Sequence, residues 1–191
     1  MTKFIFFAGS ARKESVNKKL CRIAADMAEA MGADVTCIDL ADYDMPLYNG
    51  DWEEENGVPE NAVKLKKLFQ EADGFFIAAP EYNSSITPLL KNTLDWLSRQ
   101  YEEGEPMLSA YKGKVAGLCS ASPGGLGGMR GLVVLRMMLG NIGVTVTPTQ
   151  ACISGAYGAF DDDGNLKDEK NVKMLKGAVQ EFVETAQKLR G

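Results

Sequence analysis

No histidine occurs anywhere in the 191 residues. Its absence removes Ser-His-Asp and Cys-His catalysis and weakens any metal-centred proposal, because imidazole is the usual base near neutral pH and a frequent metal ligand. The four cysteines, Cys21, Cys37, Cys119 and Cys152, are far apart and form no C-x-x-C. Neither a disulfide nor a structural zinc is expected, and each thiol reads as a small buried hydrophobe. No apolar run reaches the length of a membrane span, and the first residues follow a core-strand pattern, not a charged segment leading into a signal core. The expected location is cytoplasmic. Positive charge is in short supply, with 21 Lys and Arg against 26 Asp and Glu and a net charge of -5, so neither nucleic acid nor a membrane is an expected partner. Two familiar phosphate signatures, G-x-x-x-x-G-K-[ST] and G-x-G-x-x-G, are also missing, which argues against nucleotide hydrolysis and a Rossmann first turn.

What is present is a soluble globular composition, 45% apolar and 25% charged, long enough for one core and one domain over residues 1–191. Strand-like runs alternate with helical periodicity, the pattern of an α/β fold with a parallel sheet covered on both faces. Phe4–Ala8 reads as a strand; Leu20, Ile23, Ala24, Met27 and Met31 share a helix face that stops at Gly32. Val35–Ile38 is a second, more polar strand suited to a sheet edge. Residues 41–59 are rich in Asp, Glu, Asn and Pro. Val63, Leu65, Leu68 and Phe69 mark a helix before the strand Phe75–Ala79, and Pro88 opens a helix to about Tyr101. Val115–Cys119 supplies a fourth strand and Val144–Val146 opens a fifth, on either side of a helix carrying Leu132, Leu135, Met138 and Leu139. A last helix spans about Glu169–Leu189. Five parallel strands in the order 2-1-3-4-5 are expected.

In such a sheet the loops after the strand carboxyl ends meet where the strand order reverses, and three of them are chemically unusual. Residues 9–18, GSARKESVNK, sit between a strand and a helix start, where unpaired N–H groups and the helix dipole favour phosphate. Ser10, Ser15 and Asn17 add neutral donors and Arg12 a forked cation. The plainer alternative is a polar helix cap with Arg12 in solvent. Pro80-Glu81-Tyr82-Asn83-Ser84-Ser85 brings a flat ring, an amide and exposed N–H groups that suit a polar heterocycle; alternatively, Asn83 and Ser84 only cap the next helix. The glycine-rich run from Ser122 to Gly128 lets backbone approach a ligand closely, or merely connects two elements. Asp51–Glu55 and Asp161–Gly164 read as solvated loops.

Taken together these loops resemble the NADPH-dependent FMN reductases, a family that includes bacterial quinone and chromate reductases. The matching residues are GSARKESVN at 9–17, PEYNSS at 80–85, LKNTLDWLSR at 90–99, and GGLGGMR at 124–130 followed by Leu135-Arg136. The resemblance implies a flavodoxin-like three-layer sandwich that binds FMN. It implies that Ser10, Arg12, Ser15, Val16 and Asn17 hold the phosphate, that Pro80, Glu81, Tyr82 and Asn83 line the isoalloxazine ring, and that Ser122 and Gly124 approach its other edge. No side chain is assigned a catalytic role, since the flavin N5 carries the chemistry, with NADPH or NADH as co-substrate. The expected oxidant is a quinone or similar small molecule, free FMN, an azo dye or a metal oxyanion. A homodimer or homotetramer is implied, with the helix bearing Trp96 and Leu97 at the interface, and Trp52 is a candidate to reach a neighbour's flavin. Thr87-Pro88 and Pro123 depart from the family pattern. Two other classes share the expected topology. A flavodoxin-like electron carrier would bind FMN without nicotinamide turnover, but its usual phosphate loop lacks an arginine. A phosphoacceptor domain needs an aspartate where this chain has Ala79-Pro80.

Overall fold

The computed structural model describes residues 1–190. Strands β1 (Lys3–Ala8), β2 (Asp34–Ile38), β3 (Gly74–Ala78), β4 (Val115–Ala121) and β5 (Thr145–Ile153) form one sheet in the order β2-β1-β3-β4-β5, every neighbouring pair parallel. This is the doubly wound, flavodoxin-like order. Helices α1 (Val16–Ala30) and α7 (Glu169–Arg190) cover one face; α3 (Glu60–Glu71), α4 (Pro88–Leu97) and α5 (Met129–Asn141) cover the other.

The period-2 geometry of the strands divides the core between the two faces. Phe4, Phe6 and Ala8 point toward α1 and α7, while Ile5 and Phe7 point toward α3 and α4. Phe182 of α7 is the hub of the first layer, with ring centroids 4.5 Å from Phe4, 6.0 Å from Phe6 and 5.5 Å from Phe76. Gly117 in β4 makes room for this cluster, since a Cβ there would overlap the Phe76 ring.

The structure extends or corrects five expectations. Asp51–Glu55 are helix, not loop: they lie in α2 (Gly50–Asn56), which a 3-10 turn (Leu40–Asp42) precedes. Asn49 caps α2 by accepting the Asp51 and Trp52 N–H groups at 2.8 and 3.3 Å, and Gly57 at φ 76° ends it. Trp52 packs edge-to-face on Trp96 at 5.7 Å, so it faces its own chain. α4 stops at Leu97, short of Tyr101, where Ser98 turns its hydroxyl back onto the Asp95 carbonyl at 2.6 Å. Strand β5 runs well beyond Val146. Pro148 lies in a register irregularity opposite Gly117, and pairing resumes at Gln150. Cys21 and Cys119 are buried as expected and Cys152 is partly so, but Cys37 is exposed, because its strand is the polar edge of the sheet.

No helix among the described residues is long and apolar enough to cross a membrane. Among the same residues no group of three or more Cys, Asp or Glu is placed to hold a metal ion.

Candidate functional site

The carboxyl ends of β1, β3 and β4 open onto one crevice of about 180 Å³. Its walls come from all three unusual loops: Ser10, Arg12, Ser15, Val16 and Asn17 from the first, Pro80, Glu81 and Tyr82 from the second, and Ser122 and Pro123 from the third. Asn83 and Gly124 lie beside it in the same loops and do not line it.

The first loop is squeezed into place by α4. The Gly9 N–H donates to the Ala78 carbonyl at 3.0 Å, and its own carbonyl accepts the Thr87 hydroxyl at 2.7 Å. A Cβ on Gly9 would come within 3.0 Å of Leu90, so the tight approach explains the glycine. Thr87 also accepts the Leu90 N–H at 3.1 Å and caps α4. Thr87-Pro88 is therefore a helix cap tied to the first loop, and Asn83 and Ser84 are not the cap.

Beyond Gly9 the loop leaves donors without partners. Ser15 is the N-cap of α1 and nearly buried, yet its side chain makes no capping bond. The Val16 and Asn17 N–H groups of the first turn have no acceptor among the described residues. Ser10 accepts the Arg12 N–H at 3.2 Å, which leaves its proton free to donate. The Arg12 side chain is exposed and pairs with no carboxylate among the described residues. Asn17 is different. Its amide makes a two-point clamp on the Ala121 N–H and carbonyl, both at 2.9 Å, and so holds the α1 start against the end of β4. What Asn17 offers the crevice is chiefly its backbone N–H.

The second loop is a tight turn. Tyr82 and Ser85 exchange backbone hydrogen bonds of 2.9 and 3.0 Å around Asn83 and Ser84, both left-handed at φ 50° and 67°. Asn tolerates that region, but for Ser84 it costs on the order of 1 kcal/mol, strain of a kind that gathers at functional sites. The turn holds Tyr82 51% exposed at the crevice rim. Glu81 points the other way. Its carboxylate accepts from Arg130 Nε at 2.9 Å and Nη2 at 2.6 Å, and from the Gly131 N–H at 3.1 Å, capping α5. Burial raises its pKa, but these bonds outweigh burial and hold the carboxyl below the usual carboxylate range. Glu81 thus locks the second loop to the helix that follows the third.

The two glycine pairs of the third loop serve different ends. Gly127 and Gly128 have positive φ, and a Cβ on either would strike the Cys152–Ile153 backbone or the Ser120 side chain. Gly125 has open space and no positive φ, and at Gly124 a Cβ would only graze Ser122 Oγ at 3.9 Å. Packing accounts for the second pair and leaves the first unexplained by anything within the fold.

Sequence reasoning missed Tyr157, which stands 77% exposed in the short helix α6 (Ala156–Ala159) and lines the crevice beside Ala121 and Glu14. Its place after the last strand, in Ser154-Gly155-Ala156-Tyr157-Gly158, was the available signal. The loop is fixed by the Ala156 N–H donating to the Ser122 carbonyl at 3.1 Å.

The model of the family "NADPH-dependent FMN reductase" matches residues 2–158. The chain is 34% identical over 175 residues to a quinone reductase of Pseudomonas putida, covering 91% of this chain and 89% of that one. It is 33% identical over 193 residues to an NAD(P)H-dependent FMN reductase of Pseudomonas aeruginosa, covering 99% and 97%. Among solved structures, FerB of Paracoccus denitrificans, a flavoenzyme NAD(P)H:(acceptor) oxidoreductase, superposes with a TM-score of 0.82 at 31% identity, covering 98% of each chain.

Proposed function

The chain belongs to the NADPH-dependent FMN reductase family, and from that premise we propose that its crevice holds FMN and that the protein passes hydride from NADPH or NADH to a quinone or similar small oxidant. One observation carries the reading: the Ser15 hydroxyl, two backbone N–H groups at the start of α1 and the Arg12 guanidinium line one crevice with no partners among the described residues. Such a set fits a phosphate dianion, which takes several donors and favours a helix N-terminus. The unexplained Gly124-Gly125 pair beside Ser122 fits the close approach of a planar ring. Bound there, FMN supplies a hydride acceptor and donor, so a chain without histidine needs no side-chain base or nucleophile.

The protein's own part is alignment. Arg12, Ser10, Ser15 and the first turn of α1 grip the phosphate, Pro80 to Asn83 flank the ring, and Ser122 and Gly124 meet its other edge. Tyr82 shapes the open face, where the nicotinamide and the oxidant take turns in ping-pong order. A quinone heads the candidate oxidants, ahead of azo dyes and metal oxyanions, because the relatives named above include a quinone reductase. The reading includes assembly with further copies of the chain.

The test is an anaerobic titration. The purified protein is expected to be yellow or to take up added FMN, to bleach with NADPH or NADH, and to recolour with a quinone; initial rates at varied quinone should give parallel double-reciprocal lines. A colourless protein with no affinity for FMN overturns the proposal, and a yellow one that neither nucleotide bleaches is an electron carrier instead.

A further inference from the structure

The crevice does not end at the first loop. Beyond Tyr157 lies a second cavity of about 380 Å³, within the roughly 300–1,000 Å³ of typical small-molecule sites. The two share Glu14, Val16 and Tyr157, all at the α1 end of the crevice, and nothing from its Pro80–Tyr82 end. The exposed Tyr157 ring therefore stands between two spaces.

The far wall of this cavity is a hairpin built from the run FDDDGNL at 160–166. Phe160 and Leu166 pair as an antiparallel bridge and are each 8% exposed, which anchors both legs in the α1 and α7 layer. The Asp161 carboxylate serves the turn by accepting the Asn165 N–H at 2.7 Å, and Gly164 closes it with a left-handed φ of 86°. Asp162 has no such task. Like Glu14 on the α1 side, it is exposed at the cavity and makes no ion pair among the described residues. Lys19 of α1 also lines the cavity, and its ammonium pairs with no carboxylate among the same residues. The carboxylates do not converge on one point: no group of three or more is placed to hold a metal ion among the described residues.

We propose that this second cavity seats the adenosine half of the reduced nicotinamide dinucleotide, with Tyr157 against the adenine and Glu14 and Asp162 accepting from the ribose hydroxyls, so that the protein uses NADH in preference to NADPH. The proposal rests on the FMN reading above, which gives the crevice a direction: ring at Tyr82, phosphate at Ser15. A dinucleotide whose nicotinamide lies on the ring, and whose chain follows the crevice, passes the phosphate end and delivers its adenosine beyond Tyr157. The crevice alone, at about 180 Å³, has no room for that half as well as FMN. Lys19, one turn beyond Ser15, faces the pyrophosphate. The wall then sets the preference. A carboxylate accepts from a vicinal diol but repels a phosphate in the same place. Glu14, Asp161 and Asp162 oppose the dianion of a 2′-phosphate with three negative charges, and Lys19 offers one positive charge in return.

Steady-state kinetics with NADH and NADPH at saturating quinone test the assignment. The wild-type kcat/KM should favour NADH by about ten-fold or more. Asp162→Lys should erase or reverse that preference, with the change carried by KM, whereas Glu29→Lys, the same charge change at the far end of α1, should keep the wild-type ratio. Tyr157→Ala should raise KM for both dinucleotides by about ten-fold. Equal rates or a preference for NADPH in the wild type, an unmoved ratio in Asp162→Lys, or an equal shift in Glu29→Lys overturns the proposal. So does an equal effect of Asp162→Lys on reduced nicotinamide mononucleotide, which lacks the adenosine half. Calorimetric titration with adenosine 5′-monophosphate in the absence of flavin keeps the two readings apart. Binding that Tyr157→Ala abolishes supports the cavity even where FMN fails to bind and the flavin reading falls; no binding to the wild type overturns the cavity and leaves the flavin reading standing.

Discussion

Residues 9–17 and residues 98–111 are both polar connections laid against the same sheet, and they treat their polar groups in opposite ways. In the second segment no buried side-chain nitrogen or oxygen among the described residues lacks a hydrogen-bond partner. Lys66 Nζ, fully buried, donates to the Arg99 carbonyl at 2.5 Å and pairs with Glu105. Glu105 also accepts the Tyr101 N–H at 2.9 Å and the Ser109 hydroxyl at 2.5 Å, and Gln70 donates to Ser109 at 2.9 Å. The Tyr101 ring lies 5.3 Å from Lys66 Nζ. In the first segment a cap hydroxyl, two N–H groups and a guanidinium have no partner among the described residues. Complete satisfaction marks a structural strap; leftover donors around one crevice mark a place made for something that is not protein.

The largest effect should come from the strap. Lys66→Met leaves Glu105 buried without its cation and is expected to cost about 3–5 kcal/mol in urea unfolding, with the FMN affinity of the folded protein unchanged. A loss of FMN affinity at full stability would erase the contrast between the two segments. The same pair sets an acid limit. Burial raises the Glu105 pKa, but Lys66, Ser109 and the Tyr101 N–H outweigh burial and hold it below the usual carboxylate range. A carboxyl depressed in the folded state adds stability above its unfolded value of about 4.3, and that stability is lost as pH falls through the folded value. Unfolding free energies measured from neutral pH down into this window should show the decline in wild type, and less of it in Lys66→Met.

Arg12→Ala is the converse experiment. It should weaken FMN binding by about 1.5–3 kcal/mol, read by flavin fluorescence titration, and leave thermal unfolding of the FMN-free protein unmoved. The glycine loop offers a comparison inside one segment. Gly128→Ala should destabilise by about 1–3 kcal/mol through its positive φ and the Ser120 side chain, whereas Gly125→Ala should change stability by less than about 0.5 kcal/mol and act on FMN affinity instead. Equal stability losses at the two positions would remove the distinction. The smallest effect on folding is expected at Ser15. Replacing an N-cap serine by alanine usually costs about 0.5–2 kcal/mol, but this hydroxyl caps nothing, so Ser15→Ala should fall below that range while reducing FMN affinity.

Local pattern alone places most of the sheet. The Phe4–Ala8 run, the α1 face from Leu20 to Met31 and the buried β3 and β4 runs show their period directly, because alternation of two and recurrence near 3.6 are properties of neighbouring residues. Elements with mixed signals were harder to read. Pro148 hides the second half of β5, whose pairing resumes only because a register irregularity absorbs the proline, and the polar surface of α2 masks the Asn49 and Gly57 signals that bound it.

The chemistry of the three loops could likewise be read from the residues they carry: hydroxyls, an arginine, a tyrosine turn and paired glycines. Which groups stay free was a matter for the folded chain. Asn17 clamps Ala121 across 104 positions, Glu81 reaches Gly131 across 50, Thr87 ties itself to Gly9 across 78, and Tyr157 arrives at the crevice from the far end of the sheet. A hydrogen bond needs its partner within about 3 Å, and no spacing along a sequence encodes that proximity; it exists only once the strands have been laid side by side.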